Sequence, residues 1–140
     1  DSIRNGRPID VFNQGAMVRD FTYIDDIVEG VIRVLDKTAT PNPDFDPMHP
    51  DPGSSTAPFR VFNIGNGNPT PLMDYIGALE DALGMTAEKN MMPMQPGDVP
   101  ATSADTSELR DWVGFAPNID VRDGVQRFVD WYIGYYGRNG

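Results

Sequence analysis

The sequence contains no cysteine, which excludes disulfide bonds and thiolate metal ligands and makes a reducing cytoplasm the expected setting. His49 is the single histidine, so a multi-histidine metal centre is excluded and any histidine-dependent triad would have to be built on that residue. Basic residues are few: 11 Lys and Arg against 21 Asp and Glu leave a net charge of −10. With no basic cluster, neither nucleic acid nor an anionic membrane surface is an expected partner. No apolar run approaches the roughly 20 residues needed to cross a bilayer. The opening DSIRNG has neither an initiator methionine nor a signal-peptide pattern, so the chain reads as cut from a longer one. What remains is a chain of 140 residues, 39% hydrophobic, long enough for one domain with a real core and short for a two-domain enzyme.

Hydrophobic periodicity organises that domain, taken as residues 1–140. PIDVF (8–12) and residues 17–21 read as short strands. Thr22 and Asp25 match a capping box, followed by a helix whose apolar face is Ile24, Ile27, Val28, Val31, Ile32 and Leu35. Gly30 within it marks a close helix contact. Residues 37–58, rich in Pro, Asp, Ser and Thr, form a surface loop insertion. FRVFNI (59–64) reads as a strand, and GNGNPT (65–70) as a turn in which Thr70 caps a helix beginning at Pro71. That helix carries Leu72, Tyr75, Ile76, Leu79 and Leu83 and stops at Gly84. KNMMPM (89–94) is a further extended segment. Asp105 caps a short helix closed by Gly114, and Asp120 caps a last helix burying Val121, Val125, Phe128, Val129 and Tyr132. Alternating strands and helices without an internal repeat give an α/β or α+β class.

Most motif-like features have ordinary readings. GYYGRNG (134–140) has the GxxGxxG spacing of a dinucleotide site, but it follows a helix and leads into none that could offer amide protons. GNGNPT is better placed between a strand and a helix, yet Thr70 stands where a third glycine belongs, which favours a plain turn. Asp44, Asp46 and Asp51 around His49 match no EF-hand and are interleaved with prolines, so they read as a solvated acidic loop. Met91, Met92 and Met94 read as core filling. None of the five tyrosines is followed four positions later by lysine. Two polar stretches in apolar surroundings remain: Arg19–Asp20, and QPGDVPAT (95–102), where Pro96–Gly97 forces a turn that holds Gln95 and Asp98 at a fixed offset. An amide and a carboxylate so presented suit hydroxyl or amide recognition, and a surface turn is the plain alternative.

Together, residues 6–36 (containing MVRDFTYIDDIV), FRVFNIGNGNP (59–69), KNMMPMQPGDVPATSAD (89–105) and GVQRFVDWYIGYY (124–136) resemble the extended short-chain dehydrogenase/reductases. More narrowly, they are similar to the C-terminal, substrate-binding part of NAD-dependent nucleotide-sugar epimerases that interconvert UDP-glucuronate and UDP-galacturonate. The resemblance implies an α/β, Rossmann-type enzyme whose N-terminal dinucleotide-binding domain lies outside these residues. It implies that Arg19 contacts the substrate diphosphate and that Val11 and Phe12 run along the uracil. The related galactose epimerases carry Arg-Pro-Gly-Asp at the turn; here Asp98 is kept for ribose hydroxyls, while Gln95 replaces the arginine and offers hydrogen bonds without charge. Thr102 falls where that turn approaches the sugar.

The family's Gly-rich βα unit and Tyr-x-x-x-Lys pair have no match in these residues. No catalytic residue, metal or bound cofactor is therefore expected of the chain itself. In the full-length enzyme, NAD would serve transient oxidation at the sugar C4. The implied partners are a UDP-sugar and, for that enzyme, a second copy in a homodimer, while this chain is expected to self-associate through unpaired strand edges. A non-catalytic α/β interaction module, a related nucleotide-sugar dehydratase or epimerase, and a minimal NAD binder built on GNGNPT are the rival readings.

Overall fold

Helices form where the periodicity predicts them. The computed structural model describes residues 1–137, with α1 at Ile24–Leu35, α2 at Leu72–Leu83, α3 at Ser107–Val113 and α4 at Val121–Tyr136. The strands are short: β1 (Ile9–Val11), β2 (Val18–Arg19), β3 (Thr70–Pro71) and β4 (Lys89–Met91). Gly84 and Gly114 end α2 and α3 in the left-handed region, at φ 63° and 66°, where a side chain would be strained. Asp120 caps α4 as expected, accepting from the Arg122 amide. The N-cap of α3 is Thr106 rather than Asp105, which stands one residue before it and accepts from the Ser107 amide. Gly134–Tyr136 of GYYGRNG continue α4, and its last three residues lie outside the described part.

Strands β1 and β4 pair in parallel, with Ile9 opposite Lys89 and Val11 opposite Met91. A parallel pair needs a crossover, and α2 packs over it. One side of α2 (Leu72, Ile76, Leu79, Leu83) meets Ile3, Ile9, Val11 and Ala87. Its other side, with Ala78 buried at the contact, receives Val125 and Val129 of α4. Glu80 ties α2 to β4, since its Oε1 accepts from both Lys89 Nζ and the Ala87 amide. Those bonds hold the Glu80 carboxyl below the usual glutamate range, with the Lys89 hydrogen bond the larger cause. A depressed folded-state value adds stability above the unfolded value that is lost as pH falls through the folded one. Glu80→Gln is therefore expected to melt below the unaltered chain at pH 7 and to converge with it in acid, as thermal melts across a pH series would register.

Strands β2 and β3 form a second, antiparallel pair, with Val18 opposite Pro71 and Arg19 opposite Thr70. Thr70 therefore lies in a strand, and Pro71 takes the cap position, so the helix begins one residue later than expected. The anticipated capping box is absent too. Tyr23 occupies the N-cap of α1 without a side-chain bond, and the Thr22 hydroxyl accepts from the Asn66 amide instead.

The other departures concern burial. FRVFNI is not a ladder strand; it makes one isolated bridge, Ser54 with Arg60. Its alternation survives nonetheless: Arg60, Phe62 and Ile64 are half-buried, while Phe59 and Val61 are exposed. Arg60 lies over the Trp112 ring, Phe62 sits 6.1 Å from that ring, and Ile64 lies beside Gly30. The segment is thus held by α3 and α1 rather than by a neighbouring strand. The apolar face of α1 is likewise open, with Ile24, Val28, Val31, Ile32 and Leu35 all exposed, Leu35 at 79%. Gly30 does make the expected close contact, because a Cβ there would stand 3.3 Å from Ile64. Phe128 is exposed on α4, and Met91 and Met94 are exposed rather than in the core.

Candidate functional site

Of the residues singled out from sequence, Arg19 and Asp98 come together across 79 positions. Arg19 Nη2 donates to Asp98 Oδ1 at 2.9 Å, and Nη1 donates to the Val18 carbonyl at 2.9 Å. The side chains are 25% and 32% exposed, so a ligand could reach the pair while solvent screens it only in part.

Local backbone bonds explain why they meet. The QPGD turn closes when the Asp98 amide donates to the Gln95 carbonyl, with Gly97 at φ 85°. The chain after it runs beside β2: the Val18 amide donates to Pro100 O, and the Thr102 amide donates to Val18 O. This short parallel bridge at Val18 and Ala101 fixes the turn against the strand that carries Arg19. Thr102 thus adjoins the pair through its backbone, and Gln95 heads the turn with its side chain exposed. Val11 and Phe12 lie on the β1 side. Val11 as a whole is 1% exposed within the core, and its carbonyl accepts from the Met92 amide, so it is not placed to meet a ligand; contact there would fall to half-buried Phe12.

The RDFT and GNG segments hold each other, a relation that sequence reading did not foresee. Asp20 Oδ2 accepts from the Gly67 amide, Thr22 accepts from Asn66, and the Asn66 side chain donates to the carbonyls of Phe21 and Ile119. Gly65 is required at this point because a Cβ would lie 2.8 Å from Asp20 Oδ2 and 3.0 Å from Ala104. The glycine spacing was the available signal; it favoured a plain turn, with a phosphate cradle as the alternative, and neither reading foresaw the contact with RDFT. The amides of Asn66 and Gly67 serve Thr22 and Asp20, so they are not free to cradle a phosphate. GNGNPT therefore does not fit NAD.

Asp46 and Asp51 are engaged separately in the 37–58 loop. Asp46 meets His49 Nδ1 at 2.9 Å, while Asp51 accepts from Ser54 Oγ and the Gly53 amide. Both carboxyls are held below their usual range, mainly by the His49 and Ser54 bonds respectively. Among the described residues, no group of three or more His, Asp or Glu side chains converges as a metal site would require. No helix there is long and apolar enough to cross a membrane. A cleft of about 240 Å³ opens between the starts of α1 and α4, lined by Phe21, Tyr23, Tyr75, Val125 and Phe128 among others; Arg19 and Asp98 are not part of it.

A mixed α/β fold in which a strand arginine meets the carboxylate of a Pro-Gly turn agrees with the family indicated by the motifs. Residues 1–65 match the NAD dependent epimerase/dehydratase family. In sequence and in fold, the chain resembles the C-terminal part of an extended short-chain dehydrogenase/reductase of the nucleotide-sugar epimerase type, most like UDP-glucuronate 4-epimerase.

It is 50% identical over 135 residues to Protein CapI of Staphylococcus aureus, covering 96% of this chain and 40% of CapI. It is 45% identical over 142 residues to a probable UDP-glucuronate 4-epimerase of Rhizobium meliloti, covering 99% of this chain and 41% of that protein. Among solved structures, UDP-glucuronic acid 4-epimerase from Bacillus cereus in complex with UDP-glucuronic acid and NAD superposes with a TM-score of 0.75 at 26% identity. That match covers 96% of this chain and 38% of the Bacillus chain. The chain thus spans about 40% of the length of these curated relatives.

Proposed function

We propose that these residues bind the UDP portion of a nucleotide sugar, and that they serve an NAD-dependent 4-epimerase converting UDP-glucuronate to UDP-galacturonate. The observation that carries this reading is the meeting of Arg19 with Asp98, the two residues the resemblance assigns to diphosphate and ribose. Arg19 supplies charged donors to the diphosphate, Asp98 accepts from ribose hydroxyls, and Gln95 and Thr102 add neutral hydrogen bonds at the turn. Charge-assisted bonds contribute about 1.5–3 kcal/mol each against about 1 for neutral ones, so Arg19 dominates. Phe12 lines the base, with buried Val11 holding it in place from β1. In this reading NAD and the residues that move protons and hydride belong to parts of a longer protein, in the cytoplasm. Calorimetry on the 140-residue chain is expected to register weak UDP binding and no NAD binding; tight NAD binding without a response to UDP would overturn the assignment.

A second reading, an interaction module, is favoured by the open apolar face of α1. Exposed apolar surface of this kind marks a contact with further protein. In a full-length enzyme that contact is proposed to be internal, with a second copy completing a homodimer. For the isolated chain, the α1 face and the unpaired FRVFNI segment are proposed to drive self-association. Sedimentation over a range of concentrations is expected to show reversible oligomers that Val28→Glu weakens; a monomer at every concentration would count against it.

A further inference from the structure

We infer that Asp98 is an internal counter-anion of Arg19 that admits ligands carrying both an anionic group and a hydroxyl donor and refuses anions that bring no donor. The inference rests on the reading of Arg19 as the anion contact.

Backbone bonds anchor the two residues that carry these charges. Arg19 lies in β2, paired with Thr70, while Asp98 sits in a turn bound to β2 through Val18, Pro100 and Thr102. An anion arriving at Arg19 therefore meets a carboxylate anchored beside it by the turn and already bonded to the guanidinium. Like charges this close repel, the more so because the pair is only partly solvated. The net charge of −10 adds to the barrier.

A ligand offsets that repulsion only by giving the carboxylate something to accept. Asp98 Oδ1 already takes the Arg19 guanidinium and the Val99 amide. Among the described residues no hydrogen bond reaches Oδ2, so its lone pairs are open to hydroxyl protons. A nucleoside diphosphate brings diphosphate and ribose diol together; an analogue without the diol brings only the repelled half. Selectivity then comes from penalising the wrong ligand as well as rewarding the right one.

The test compares UDP with 2′,3′-dideoxyuridine 5′-diphosphate in calorimetry on the 140-residue chain. Asp98→Asn has the same shape and keeps an oxygen for Val99 and Arg19; Asp98→Ser is the second variant should Asn fold poorly. The unaltered chain is expected to bind the dideoxy nucleotide on the order of tenfold more weakly than UDP. Removing the charge is expected to tighten dideoxy binding on the order of tenfold. That gain should vanish in Arg19→Ala/Asp98→Asn. If Asp98 only accepts hydroxyl protons, Asp98→Asn will weaken UDP and leave the dideoxy nucleotide unchanged, and the inference fails. It fails also if the gain survives loss of Arg19. An Arg19→Ala single variant with undiminished UDP binding would instead overturn the underlying assignment of Arg19.

Discussion

Arg19→Ala should reduce UDP affinity at least tenfold while leaving the melting temperature nearly unchanged. The affinity loss has two sources. Charge-assisted hydrogen bonds to the diphosphate disappear, at about 1.5–3 kcal/mol each. Asp98 then also faces the anion without its partner, so the site becomes repulsive rather than merely weaker. Stability should change little, because a partly exposed ion pair contributes about 0–1 kcal/mol. Arg19→Lys should recover only part of the affinity, since an ammonium keeps the charge but loses the planar fork that can bond Asp98 and a phosphate oxygen together. Calorimetry with UDP, with thermal melts as the fold control, measures both halves. Unchanged affinity in Arg19→Ala would remove the basis for a diphosphate site here.

The largest stability effect is expected at Asp26. Its side chain is 5% exposed, and Oδ2 accepts from the amides of Asn118 and Ile119 at 3.0 and 2.9 Å. Those residues lead into the Asp120 cap, so one buried carboxylate sets the start of α4 against α1. Asp26→Ala leaves two amides without their acceptor and is expected to cost about 2–4 kcal/mol. For a chain of this size that is a fall of roughly 5–15 °C in melting temperature. Its neighbour Asp25 is a control: it is exposed and lies 3.8 Å from Arg127, so Asp25→Ala should stay within about 0.5 kcal/mol. Equal melting temperatures for the two variants would contradict the buried role of Asp26.

The contrast between Asp25 and Asp26 marks the limit of reading this chain by pattern. Both follow Tyr23–Ile24 at the start of a helix, and the capping-box rule favoured Asp25 with Thr22. In the fold Thr22 serves Asn66, and Asp26 serves the approach to α4. Partners 44 and 93 positions away outcompeted the local one, and no window of sequence contains them. Burial failed for a similar reason on α1. Periodicity located Ile24, Val28, Val31 and Leu35 on one face, but whether that face is covered depends on what packs there.

Composition and local chemistry alone determined the α/β alternation, the ends of α2 and α3 at their glycines, and the cap at Asp120. Those features arise within a few residues of chain, where backbone strain and orphan amides act directly. The motifs also singled out Arg19 and Asp98, though only as separate positions. Tertiary structure decided that the two meet, that GNG is a staple for Asp20 and Thr22 rather than a phosphate cradle, and that the α1 face stays open. Each of those outcomes depends on long-range contacts, whose partners are set by how the whole chain packs rather than by the spacing of nearby residues.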